Sequence, residues 1–305
     1  MLSALCASLP FGGYVMIGLK RGTVKLYEHE KEWEIEAQNT ICRLKKILGN
    51  AVKDIQHVGS TAVLSIKAKP IIDIATAADD FHDILALEQE LKDEGFYYRP
   101  KSDLGEQLLF ASGSFYEGTG DLQTHFIHVV RTNSMDWINY INFRDYLNSN
   151  PLAAKEYEDL KVSLARQAPA DPGRQMYLNG KHGFIVYTLR KALVKSYLGK
   201  TAEIRIDRPV GSTHPKYPDL TYPVNYGYIP DVLGGDGEEL DVYLLGVDIP
   251  VKECTARIIG IVHRHNDVED KLVAVSGETN FAKAEIAKAV HFQEQYYDTE
   301  IEIYA

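Results

Sequence analysis

The sequence predicts an α+β N-terminal domain followed by a β-rich C-terminal domain. Three observations carry this. The chain has 305 residues, more than one hydrophobic core usually organises. Helical and strand periods alternate as far as about residue 197. After the Gly199-Lys-Thr201 turn the pattern changes to short strands and turns, with one helix at about 283–296. The domains are therefore expected at 17–199 and 201–305, with 1–16 read as a disordered or mis-started tail.

The elements follow in order. Residues 32–48 form an amphipathic helix, because Ala37, Ile41, Leu44 and Leu48 keep the 3.6 period and Gly49-Asn50 ends it. Residues 54–58 read as a strand running into Gly59-Ser60-Thr61, and 70–75 as a short apolar strand with Asp73 inside it. A helix is expected at 79–94, stopped by Gly95. Strands at 108–111 and 124–131 precede three helices at 134–147, 152–167 and 174–197.

Composition is that of a globular protein: 45% hydrophobic, 25% charged and without low-complexity tracts or repeats. The formal net charge of −10 argues against sequence-independent nucleic-acid binding, which needs a basic face. It does not exclude small anions, since a bound metal reverses the local sign. Cys6, Cys42 and Cys254 are far apart and in no C-x-x-C pair. That pattern argues against a zinc ribbon or disulfide framework, fits a reducing cytoplasm, and leaves Cys42 as a core residue. Residues 1–15 are apolar but lack a basic start, and are too short for a membrane span. No membrane association is expected, and a homo-oligomer stays open.

The densest chemistry lies at Tyr222-Pro-Val-Asn-Tyr-Gly-Tyr-Ile-Pro230 and Gly235-Asp-Gly-Glu-Glu-Leu-Asp-Val-Tyr243. Asp236, Glu238 and Asp241 fall within six residues. Carboxylates this close repel unless a cation sits among them, and oxygen ligands between glycine turns suit Mg²⁺. The plainer reading is an acidic surface turn opening the strand at 240–245.

This run resembles the signature of soluble (family I) inorganic pyrophosphatases. So do Glu269-Asp-Lys271-Leu-Val-Ala-Val275 and His291-Phe-Gln-Glu-Gln-Tyr296-Tyr-Asp298. The resemblance implies a β-barrel, OB-like domain that hydrolyses pyrophosphate with Mg²⁺. It implies that Asp236, Glu238 and Asp241 hold Mg²⁺, with Asp241 near the attacking water, and that Glu269 and Asp267 hold further ions. Tyr226, Lys271, Tyr296 and Lys216 would contact phosphate. Four departures stand out. Glu238 replaces an Asp, Tyr297 replaces a second lysine, Arg205 stands near the place of a first-strand Glu, and the arginine-bearing hairpin before Tyr222 is missing.

In the N-terminal half, Gln56-His-Val-Gly-Ser-Thr61 is followed by Asp73. A Gly-Ser turn after a strand offers Gly59 and Ser60 to a phosphate, and Asp73 could hold Mg²⁺ beside it. His57 could touch phosphate or carry a proton. Taken alone, each of these is more often structural. His57-Val-Gly-Ser-Thr-Ala62, Ala68-Lys-Pro-Ile-Ile-Asp-Ile74, His125-Phe-Ile-His-Val-Val130 and Phe143-Arg-Asp-Tyr-Leu147 together resemble the GrpB family. That resemblance implies a nucleotidyltransferase-like fold with Asp73 and Ser60 at its centre. Active nucleotidyltransferases carry a second carboxylate where this chain has Ala75. The expectation is a two-part phosphate-chemistry protein whose partners are pyrophosphate and a nucleotide. The alternatives are a non-catalytic phosphate-binding module and a phosphatase for another compound. His125 and His128 are three apart, so on a strand only one of them faces Asp73.

Overall fold

An apolar stripe decides the first helix. Trp33, Ala37, Ile41, Leu44 and Leu48 are buried along α1 (Lys31–Leu48), with Glu32 and Glu34 in its first turn and Lys45 and Lys46 in its last. Those charges complement the helix dipole. The computed structural model describes residues 16–100, 107–168, 175–234, 238–267 and 269–304. The expected tail at 1–16 therefore lies outside the described residues, save for Met16. The chain divides into two compact units, Met1–Thr188 and Leu189–Ala305.

Unit 1 contains β1 (Leu19–Lys20), α1, β2 (Asp54–Val58), a 3₁₀ turn (Ser60–Ala62), β3 (Ile72–Ala78), α2 (Phe81–Leu85), α3 (Glu88–Asp93) and β4 (Tyr97–Tyr98). There follow β5 (Gln107–Ser112), α4 (Ser114–Glu117), β6 (Leu122–Gln123), β7 (His125–Arg131), α5 (Met135–Ser149), α6 (Pro151–Gln167) and most of α7 (Gln175–Ser196). The helix expected at 79–94 is thus two, separated at Ala86-Leu87. A five-stranded sheet has the order β2-β3-β7-β5-β4, with β3 and β7 parallel. One face, with Ile72, Ile74, Leu108, Ile127 and Val129, packs on α1. The other carries Gln56, Asp73, Gln107 and His128, by the pairings Gln56↔Ala75, Ala75↔His128 and Leu109↔His128. Helix α5 lies on that face, where Tyr140 Oη donates to Gln107 Oε1 at 3.4 Å.

Unit 2 contains β8 (Thr201–Arg208), β9 (Asn225–Leu233), β10 (Glu239–Leu245), β11 (Glu253–Arg264), β12 (Lys271–Val275), α8 (Lys283–Glu294) and β13 (Thr299–Ile303). Strands run β12-β10-β9-β8-β11, and β11 pairs with β12 as well, so the five strands close into a barrel with β13 added beside β11. Closure removes free sheet edges. Inside are Ile204, Ile229, Val242, Ile258, Leu272 and Ala274. The outer face places Tyr226, Tyr243 and Val273 against Ile286 and Val290 of α8. This is the β-rich barrel that the sequence predicts. The turn at Gly199-Lys200 lies within this unit.

One sequence expectation is corrected here: Cys42 is only half-buried, so it is not a core residue. Among the described residues no helix is long and apolar enough to cross a membrane.

Candidate functional site

The barrel's outer face gathers the first cluster. Asp241 pairs with Tyr228, and Tyr243 with Tyr226, so Asp241, Tyr226 and Tyr243 share one face. The parallel pairing Val242↔Leu272 puts Lys271 at the level of Asp241. Lys271 Nζ donates to both Asp241 and Glu269. Burial works against its charge, yet the two carboxylates outweigh burial and hold the ammonium above its ordinary range. The Tyr226 hydroxyl is pushed far up, by burial first and by Asp241 second, so it stays protonated.

Two β-bulges shape this site. Between Glu239 and Asp241 the register with β9 jumps from Leu233 to Tyr228. Between Ile206 and Arg208 it slips by one residue, leaving Asp207 opposite no partner on β9. Asp207 is raised in pKa by burial first and then by Asp241 and Glu239, while Arg208 opposes the shift. Asp207 is thereby an acid of the same cluster that the sequence reading passed over; a bulge leaves no mark on hydrophobic periodicity. Gly227 is needed where β8 crosses this strand, since a Cβ there would stand 1.9 Å from the Arg205 carbonyl oxygen.

The other expected residues are placed as follows. Glu238 is exposed, and its carbonyl accepts from Gly234 N at 2.7 Å across the hairpin tip. Asp236 lies outside the described residues. Asp267 takes a hydrogen bond from Arg264 Nη1 at 2.9 Å, and that guanidinium also stacks on the Tyr297 ring at 3.7 Å. Tyr296 follows the end of α8 and is 70% exposed, and Lys216 is exposed. Among the described residues no hydrogen bond or ion pair joins either to the Asp241 cluster. The segment before Tyr222 does fold back on itself, through the bridge Thr213↔Thr221. The cation near its base is Arg208, which bonds Asp207 at 2.8 Å.

The donor set suits a hard cation, because Asp241 and Glu269 offer oxygen and Lys271 already occupies the place between them where positive charge is needed. Among the described residues no group of three or more His, Cys, Asp and Glu side chains gathers as a metal cage.

The second cluster surrounds Asp73 on the α5 face of the unit 1 sheet. Gly59 lies against it: a Cβ at Gly59 would stand 2.4 Å from Asp73 Oδ2, and its φ is +72°. Only glycine suits that position. Ser60 opens the 3₁₀ turn that follows. Helices α5 and α6 clamp the connection to β3. Asn148 bonds Ala62 O at 2.9 Å and Leu64 N at 3.1 Å, Glu158 accepts from Lys67 N at 2.7 Å, and Lys161 Nζ donates to Lys67 O at 2.5 Å. Arg144 donates to Gln56 Oε1 and His57 O, each at 3.0 Å.

His57 pairs with Ile74, so its side chain lies on the α1 face, opposite Asp73, and its Nε2 bonds Thr61 Oγ1 at 2.9 Å. Burial pushes its pKa down to about 4, which leaves it neutral at pH 7. Of the other pair, His125 meets Thr40 of α1 at 3.2 Å, while His128 faces Asp73.

Comparison with known proteins agrees with both halves. Residues 23–191 match the family model for GrpB protein, and 192–302 match the model for inorganic pyrophosphatase. The chain belongs to the GrpB family. Fused to this GrpB domain is a domain of the pyrophosphatase family. The glutamate-rich protein GrpB of Alkalihalophilus pseudofirmus is 39% identical over 56% of this chain and 96% of its own length. Of two other relatives of this region the chain spans only 39% and 55%. The crystal structure of GrpB from Enterococcus faecalis matches 57% of this chain and 99% of its own, with a TM-score of 0.51 and 27% identity. An inorganic pyrophosphatase of Helicobacter pylori is 27% identical over 39% of this chain and 70% of its own length.

Proposed function

We propose that the pyrophosphatase-like domain hydrolyses inorganic pyrophosphate, or a related phosphoanhydride, with Mg²⁺. In this reading the GrpB domain binds a nucleotide or transfers a nucleotidyl group. The observation that carries the first half is Lys271 shared between Asp241 and Glu269 beside the buried Tyr226 hydroxyl. Asp241 and Glu269, with Glu238 and Asp236 of the adjoining turn, would hold Mg²⁺; Asp267 would join them on leaving Arg264. Mg²⁺, when bound, lowers the pKa of water and neutralises phosphate charge.

The chain's own residues do the rest. Lys271 would offer its ammonium to the substrate's phosphate, with Asp241 and Glu269 left to hold the ion. The protonated Tyr226 hydroxyl donates to a phosphate oxygen. Arg208 supplies the second cation that Tyr297 does not. Positioning and charge stabilisation of this kind carry most of the rate in phosphoryl transfer.

Nucleotidyl transfer releases pyrophosphate, so a hydrolase on the same chain would pull that reaction forward, and tethering raises the local concentration of its substrate. The partners in this reading are pyrophosphate and a nucleotide, in the cytoplasm, with self-association compatible. Ala75, fully buried where a second carboxylate would be needed, favours a second reading for the GrpB domain alone: it binds a nucleotide without turning it over.

The test is phosphate release from pyrophosphate with Mg²⁺ by the intact chain, by Asp241→Asn and by Asp73→Asn. Release lost only in Asp241→Asn supports the reading. No release from folded intact protein overturns its hydrolytic half.

A further inference from the structure

Ala75 leaves a gap in the ligand set, and the structure fills it from the neighbouring strand. In the parallel ladder β3–β7, Ala75 is paired with His128. Paired residues point to the same face, so His128 projects on the Asp73 side, at the level where the missing carboxylate would stand. Its Nε2 is 3.7 Å from Asp73 Oδ1. That separation is too long for a hydrogen bond. Two ligand atoms, each about 2.0–2.2 Å from one cation, stand roughly 3–4 Å apart. The His128 Nδ1 atom is buried and has no hydrogen-bond partner among the described residues, so Nε2 is the ring nitrogen that meets a polar group.

The surroundings hold this pair in place and leave it reachable. The ring of Tyr140, on α5, packs against the imidazole with centroids 5.1 Å apart. Gly59 packs against the carboxylate from the other side. The His128 and Asp73 side chains keep 20% and 30% of their exposure, enough for an ion and its remaining ligands to enter. Arg144 is drawn away to Gln56, His57 O and Asp145, so among its described bonds none neutralises Asp73.

We propose that Asp73 and His128 form a divalent-cation site in the GrpB domain, with one oxygen and one nitrogen ligand. An imidazole ligand favours Mn²⁺ or Zn²⁺ over Mg²⁺, which prefers oxygen alone. The two domains then differ in metal preference: the barrel site takes the harder ion and the sheet site the softer. His128 answers the absence of a carboxylate at position 75 with a different metal. This deepens the nucleotide half of the proposed function and rests on it only for what the cation holds.

The experiment is pulsed electron paramagnetic resonance on Mn²⁺ added to the full-length chain carrying Asp241→Asn, which weakens the barrel site. That site's expected ligands are all oxygens, so a ¹⁴N coupling to Mn²⁺ reports an imidazole. The expected result is a ¹⁴N coupling that disappears in His128→Gln and survives in His291→Gln. His128→Asp should keep Mn²⁺ bound, lose the ¹⁴N coupling and raise affinity for Mg²⁺ relative to Mn²⁺ by about tenfold. Tryptophan fluorescence checks that the unit 1 variants are folded, and far-ultraviolet circular dichroism checks Asp241→Asn and His291→Gln. Absence of nitrogen-coupled Mn²⁺ in folded protein overturns the proposal, as does a ¹⁴N coupling that His128→Gln leaves intact. Added ATP separates the two ideas. A new ³¹P coupling supports the cation site and the nucleotide reading together. A ¹⁴N coupling dependent on His128 without ³¹P coupling upholds the site and counts against the nucleotide.

Discussion

Asp73 and Asp241 each project from a strand inside a sheet, and their surroundings treat them in opposite ways. Asp241 is neutralised internally, because Lys271 bonds it and Glu269 together and is itself buried. Asp73 meets an imidazole beyond hydrogen-bond range, a tyrosine ring beside it and a bare glycine Cα. A carboxylate bonded to a buried ammonium is compensated within the fold, whereas the partly exposed Asp73 is left to solvent. Two strand carboxylates of one chain thus sit in opposite electrostatic settings.

The largest expected effect breaks that comparison at the barrel. Asp241→Asn should lower pyrophosphate hydrolysis by roughly 10²-fold or more, while Asp73→Asn stays within about twofold. Equal losses would mean that the two sites act as one. A stability contrast comes next. Arg264 and Glu294 form a buried ion pair, joined by the Tyr243 hydroxyl. Removing one partner of such a pair typically costs about 3–5 kcal/mol, because the other charge is stranded. Arg264→Met should therefore lower the urea midpoint of unit 2 and leave unit 1 unmoved. Gly59→Ala should cost unit 1 about 1–3 kcal/mol, from a strained φ and the clash with Asp73. A wild-type midpoint for Gly59→Ala would show that Asp73 is not held against the turn.

How much of this could be read in advance follows from where partners sit along the chain. Strand β2 was legible to the residue, ending as it does at Gly59, and so was the burial of Ala37, Ile41, Leu44 and Leu48. The resemblance at 222–243 and 269–275 pointed to Asp241, Glu269, Lys271 and Tyr226, which the fold brings together. What stayed hidden depends on register and on long separations. His57 precedes the Gly-Ser turn and looks functional, but only its pairing with Ile74 shows that it faces α1. Asp207 enters through a bulge. Arg264 finds Glu294 thirty residues on, and nothing local announces that meeting.

The finest contrast is one of pH. Lys161 is fully buried in unit 1. Burial first, and then Lys181, lower its pKa to about 7, with Glu158 opposing. Folding thus favours the neutral amine, and between pH 7 and about 10.5 the unfolded chain holds the extra proton. Stability of unit 1 should rise across that window, by up to about 1.4 kcal/mol per pH unit. Unit 2 behaves in reverse. His263 bonds Asp270 at 2.8 Å and Glu302 at 3.1 Å, and these carboxylates outweigh burial to raise its pKa. Its contribution is complete below pH 6.5 and is lost as pH rises through the raised value. Asp270 and Glu302 are both held low despite burial, by His263 first and then by Lys191 and Lys195 respectively. Their contribution is present above about pH 4.5 and fades as pH falls through the lowered values. From pH 7 to 9 the two units should therefore move apart, unit 1 gaining and unit 2 losing. Both tryptophans, Trp33 and Trp137, lie in unit 1, so fluorescence in urea follows that unit alone, and pulse proteolysis with mapped cleavage follows unit 2. Lys161→Met should flatten the first trend and His263→Gln the second. Midpoints that rise or fall together, with both variants behaving as the parent, would show that neither buried group titrates with folding.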